Sequence, residues 1–80
     1  MDIELIYPHL DAILYWKLMG GTEPSPAVEI IDVGIKWGYP SHMINYGCSG
    51  CRMDVFKYIF DYIEQHAPNL ITDYKQKHGI

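Results

Sequence analysis

The sequence predicts an all-α protein, a small bundle of three to four short helices. Apolar residues recur at helical spacing in two runs, Leu10, Ile13, Leu14, Leu18 and Val55, Phe56, Ile59, Phe60, Ile63. Gly and Pro break the chain at Gly20-Gly21, Gly38-Tyr39-Pro40 and Ala67-Pro68, leaving segments of helix length between the breaks. No second run stands beside the one stretch that alternates like a strand, so a hairpin has nothing to pair with.

Ile3-Glu4-Leu5-Ile6-Tyr7 fits a helical turn or an extended arm equally, because its alternation is too short to decide. The first helix runs from about Pro8 to Met19. Proline is tolerated in a first turn, where the N–H it lacks has no intrahelical partner, and Gly20-Gly21 provides the stop. Residues 20–26 form a linker whose end reads as a helix start, with Ser25 as N-cap and Pro26 in the first position. In residues 27–37, Ala27, Ile30, Ile31, Gly34 and Ile35 fit one helical face, whereas Val33, Ile35, Trp37 and Tyr39 alternate. The Ser-Pro start favours helix.

After Gly38-Tyr39-Pro40-Ser41, the stretch from His42 to Tyr46 reads as a short turn of helix. The longest helix is capped by Ser49 or Cys48 and ends at Ala67-Pro68. Asp54, Lys57, Asp61 and Glu64 lie on its polar side, with Lys57 and Asp61 at the spacing of an ion pair. Asn69 caps a last short helix through Tyr74, and residues 75–80 form a flexible tail.

Eighty residues leave room for one domain, residues 1–80, with a thin core. The opening Met1-Asp2-Ile3-Glu4 is acidic where a secretory signal or mitochondrial presequence is basic. No apolar run approaches the roughly 18 residues of a membrane span. A cytoplasmic protein, neither exported nor membrane-bound, is expected. The net charge of −4 is drawn mainly from residues 1–32, where Asp2, Glu4, Asp11, Glu23, Glu29 and Asp32 face a single base, Lys17. Arg52, Lys57, Lys75 and Lys77 are too scattered to displace counterions from nucleic acid, which is not expected as a main partner. Gly38 has the cadence of a helix-turn-helix corner, but residues 40–46 carry no Lys or Arg to read DNA.

Gly47-Cys48-Ser49-Gly50-Cys51 is the one compact set of reactive side chains. At a helix start, unpaired N–H groups and the helix dipole favour a thiolate, which makes Cys48 the more reactive candidate. Zinc wants four ligands around a tetrahedron. Cys48 and Cys51 supply two and His42 can fold back as a third; His9, Asp54 or a neighbouring chain would have to complete the set. His66 cannot join Cys51 at one ion, since a helix between them separates the two by roughly 22 Å. Thiol–disulfide exchange is the other chemistry open to the pair, although too little chain follows Ile63 to build a thioredoxin-like sheet. Cysteines that merely pack at a helix start in a reducing compartment form the plain alternative. No Ser-His-Asp set or phosphate-cradling Gly pattern is present, so no catalytic residue and no enzyme are expected.

Aromatic residues make up 14% of the chain. Tyr15, Trp16, Trp37, Tyr39, Tyr58 and Tyr62 are more rings than a thin core needs, and Tyr and Trp suit interfaces because they join large area to a polar tip. A non-enzymatic interaction or structural subunit, bound to its own copies or to a larger protein assembly, is therefore expected, with these six residues as its contacts. The alternative is a small zinc-binding or thiol-redox module on Cys48 and Cys51.

Gly47-Cys48-Ser49-Gly50-Cys51-Arg52, leading straight into an amphipathic helix, resembles small C-x-x-C proteins of tailed phages of gut bacteria. Those proteins more often carry the order Cys-Gly-Ser-Cys, inverted here at Ser49-Gly50. The resemblance covers about a quarter of the chain. It implies a phage accessory or virion component, placed in the host cytoplasm or the virion, and brings no established catalytic residue.

Overall fold

Ile6, Ile13, Leu14, Ile30, Ile31, Val55, Phe56, Ile59 and Ile63 are wholly removed from solvent, and every long element is placed to cover them. The computed structural model describes residues 2–80. Its four α-helices are α1, Leu10–Met19; α2, Ala27–Lys36; α3, Ser49–His66; and α4, Pro68–His78. Two 3-10 segments, Ile3–His9 and Ser41–Met43, complete the order, and no strand occurs among the described residues. Among the described residues no helix is long and apolar enough to cross a membrane.

The all-α expectation holds, with corrections at the element ends. Ile3–His9 winds as a 3-10 helix with Pro8 inside it, and the α-helix proper begins at Leu10, past the proline. The N-cap of α2 is Pro26, not Ser25: Pro26 has extended backbone (φ −75°, ψ 128°) and stands just outside the first turn. Residues 27–36 are helical because Ile30, Ile31, Val33 and Gly34 form a single buried face, which the apparent alternation across 33–39 disguises. His42 lies in a 3-10 turn shorter than expected, Ser41–Met43. The last helix starts at Pro68 rather than after Asn69 and continues through His78 to Gly79, so the expected loose tail is mostly helix. Tyr74 is buried, and its ring lies 4.1 Å from the His78 ring, one turn on.

The longest helix, α3, is the spine. Val55, Phe56, Ile59, Phe60 and Ile63 are its buried face, as the spacing predicts, and α1, α2 and α4 all pack on it. Gly34 sets how near α2 comes: a Cβ there would sit 2.7 Å from Val55 Cγ1 and 3.3 Å from Ile59 Cδ1. Gly20 ends α1 in the left-handed conformation (φ 66°), which a side chain would resist. Pro24, fully buried, pins the following linker to the core. At the other side, Trp37 Nε1–H donates to the Asp2 carbonyl at 3.2 Å, tying the start of the chain to the end of α2.

Candidate functional site

The backbone at Cys48 is extended (φ −106°, ψ 116°), so its side chain turns over the first turn of α3. There its Sγ accepts the Cys51 backbone N–H at 3.3 Å. A sulfur thus does the work usually given to a Ser or Asp N-cap oxygen, satisfying one of the orphan donors of the helix start. Cys48 N–H in turn donates to the Asn45 carbonyl at 3.0 Å, and Asn45 Oδ1 accepts the Gly47 N–H at 3.0 Å, which closes the entry loop. Both cysteines are free and half-exposed.

Their protonation is set apart by this geometry. Hydrogen bonding from the Cys51 thiol is the first cause that holds the Cys48 pKa below that of an ordinary thiol, and the Cys51 backbone N–H and the Arg52 charge act in the same direction. Cys51 is pushed the other way, first because it gives that hydrogen bond, then through partial burial and the charges of Cys48 and Asp54. The arrangement sets a sulfur with a lowered pKa beside one with a raised pKa, at the positive end of an 18-residue helix.

Arg52 locks the surroundings. Its Nε and Nη2 both reach Glu23 Oε1 at 3.1 Å, and its Nη1 donates to the Tyr46 carbonyl at 2.6 Å. One guanidinium therefore joins the linker after α1, the loop before Cys48 and the first turn of α3. Sequence reasoning missed this clamp. Arg52 is legible as a cation beside Cys51, but Glu23 lies 29 residues away and nothing local pairs them.

The expected metal set does not assemble. His42 is exposed on its 3-10 turn, His9 faces Glu29 at 3.9 Å, and His66 packs its ring 4.3 Å from that of Tyr62. Among the described residues no group of three or more His, Cys, Asp or Glu side chains is placed to hold a metal ion. His42 is exposed to solvent on its turn, while the Cys48 sulfur turns toward the start of α3.

The six aromatic residues expected at an interface are divided by the fold. Trp37 is buried, stacked on Tyr62 with ring centroids 4.1 Å apart, and so leaves the contact set for the core. Tyr39 meets Tyr58 edge-on at 5.4 Å, and Trp16 meets core Phe56 edge-on at 5.8 Å. Tyr58 Oη–H donates to the Trp37 carbonyl at 2.8 Å. Tyr15 alone of the six is largely exposed. The rings were too many for a thin core only if each had to lie on a helix's central stripe; paired edge to face and face to face, they extend that core sideways.

The accessible surface, 4796 Å², is close to the roughly 5000 Å² of a compact monomer of this mass. Exposed apolar side chains remain close in sequence to the dithiol, at Met43, Tyr46 and Met53. A groove between α1 and α4, floored by Leu10, Leu14 and Leu70 and rimmed by Asp11, Asp73 and Lys77, holds about 230 Å³. That is below the roughly 300 Å³ at which small-molecule sites begin.

No family model matches the chain, and no curated protein or solved structure matches it.

Proposed function

We propose that the protein works through its dithiol, as a small thiol-redox module that exchanges electrons with disulfides of partner proteins. The observation that carries this reading is the Cys51 N–H bond to Cys48 Sγ, which places a thiolate-favouring sulfur at the helix start with a second thiol within one turn. Cys48 thiolate attacks one sulfur of a partner disulfide, forming a mixed disulfide and releasing the other partner sulfur as thiolate. Cys51 then loses its proton to solvent and attacks Cys48 Sγ. An intramolecular Cys48–Cys51 disulfide forms, the second partner thiolate leaves, and two electrons have passed to the partner.

The test is a reaction of the reduced protein with a disulfide-bonded peptide. Cys51→Ser should stop at the mixed disulfide, visible as one added peptide mass, while Cys48→Ser should react at least about tenfold more slowly. Equal rates for the two variants, or no exchange by the unaltered protein, would refute the reading.

A second reading is a non-enzymatic docking or structural subunit, with a phage accessory or virion role suggested by the resemblance at residues 47–52. It is favoured by the exposure of Met43 and Tyr46 on the loop before the dithiol, and Tyr15 remains a contact candidate on the opposite end of the sequence. The burial of Trp37 and the pairing of Trp16, Tyr39, Tyr58 and Tyr62 with neighbouring rings place it second. Co-purification of a stoichiometric protein partner that survives Cys48→Ser and is lost on Tyr46→Ser would reverse the ranking.

A further inference from the structure

The count of ligands that argues against zinc argues for a different ion. Zinc needs four donors, and among the described residues no third His, Cys, Asp or Glu is grouped with the two thiols to fill its tetrahedron. A soft monovalent d10 cation is satisfied by two thiolates in near-linear coordination and prefers sulfur to nitrogen or oxygen. Cys48 Sγ lies 3.3 Å from the backbone nitrogen of Cys51, so the two thiols stand side by side at the first turn of α3, within reach of one ion.

We propose that the reduced protein binds one copper(I) ion between Cys48 Sγ and Cys51 Sγ. Binding converts two thiols and one Cu⁺ into a bis-thiolate complex of charge −1, with two protons released to solvent. That negative charge forms where the fold has prepared for it: the Cys51 N–H already points at Cys48 Sγ, the positive end of α3 lies beneath, and Arg52 is held adjacent by Glu23 and Tyr46. The half-exposure of both sulfurs leaves a path for a chelated ion to be handed over by ligand exchange. This site stands independently of the redox reading, since holding copper(I) involves no electron transfer.

Anaerobic competition against bicinchoninate, with copper(I) supplied as its complex, tests the site. The full-length reduced protein is expected to withdraw one copper per chain while remaining a monomer. Cys48→Ser and Cys51→Ser should each weaken binding by at least about 100-fold. Cys51→Ala serves as a further variant, and circular dichroism confirms that the variants compared are folded. His42→Ala should bind as the unaltered protein does. Copper left on the chelator, one copper per two chains, undiminished binding by a folded single-cysteine variant, or weakening by His42→Ala would each overturn the proposal. So would withdrawal of zinc from a chromophoric indicator as effectively as copper.

Discussion

Arg52 and Glu23 meet at 3.1 Å across 29 residues of chain, and through this ion pair the linker after α1 holds the first turn of α3. The pair is only partly shielded, with side chains 22% and 32% exposed. Its coupling energy in a double-mutant cycle of Arg52→Met and Glu23→Gln is therefore expected to be about 0.5–1 kcal/mol, measured by urea unfolding, and to shrink with added salt. Arg52→Met should cost more than Glu23→Gln, because it also abandons the Tyr46 carbonyl. Equal costs would mean that the Tyr46 contact adds nothing.

The split between the thiols gives a pH dependence of reactivity. Only thiolate is alkylated, so the Cys48 rate should begin to climb at a lower pH than that of a free cysteine, and the Cys51 rate at a higher one. Because the largest cause of the Cys48 shift is the hydrogen bond from Cys51, Cys51→Ala should move the Cys48 profile upward. Site-resolved iodoacetamide labelling read by mass spectrometry decides the matter; superimposable profiles would contradict the geometry.

Gly34 holds α2 against α3 at a distance that leaves no room for a methyl group. Gly34→Ala gains about 1 kcal/mol of helix propensity but overpacks a stiff β-branched neighbour at a cost of about 1–3 kcal/mol. A net loss of about 1 kcal/mol is expected on chemical denaturation. Val55→Ala in the Gly34→Ala background should cost less than Val55→Ala alone, since it vacates the space the new methyl needs.

Tyr58→Phe removes the donor to the Trp37 carbonyl and is expected to destabilise by about 1 kcal/mol, with altered Trp37 fluorescence. Tyr62→Ala strips the stacked face of Trp37 and should cost about 3 kcal/mol or more. A fluorescence spectrum unmoved by Tyr62→Ala would contradict the stack.

The closed core and ordinary surface area lead us to expect a 9.3 kDa monomer by light scattering at micromolar concentration. A stable dimer would return Tyr15, Tyr46 and Met43 to the centre of the functional question.

Helix identity was legible because it depends on spacing within one element. Val55, Phe56, Ile59, Phe60 and Ile63 share a face whatever else the chain does, and Gly20 ends α1 by its own backbone freedom. The thiols were legible for the same reason: Cys48 and Cys51 are neighbours across one helical turn in any fold that starts a helix there. Element ends were read less well, since Pro26 and Pro68 differ in role through conformations that the surrounding packing selects.

Where the rings go, which histidines stay apart and what Arg52 holds were decided only in three dimensions. Trp37 reaches Tyr62, and Arg52 reaches Glu23, through contacts between segments distant in sequence. A count of aromatic residues says how much area there is to bury, but not whether the partner that buries it is another molecule or another helix of the same chain. Local order follows from periodicity and backbone stereochemistry; pairing between distant side chains follows from how the helices close on one another, and periodicity carries no record of that.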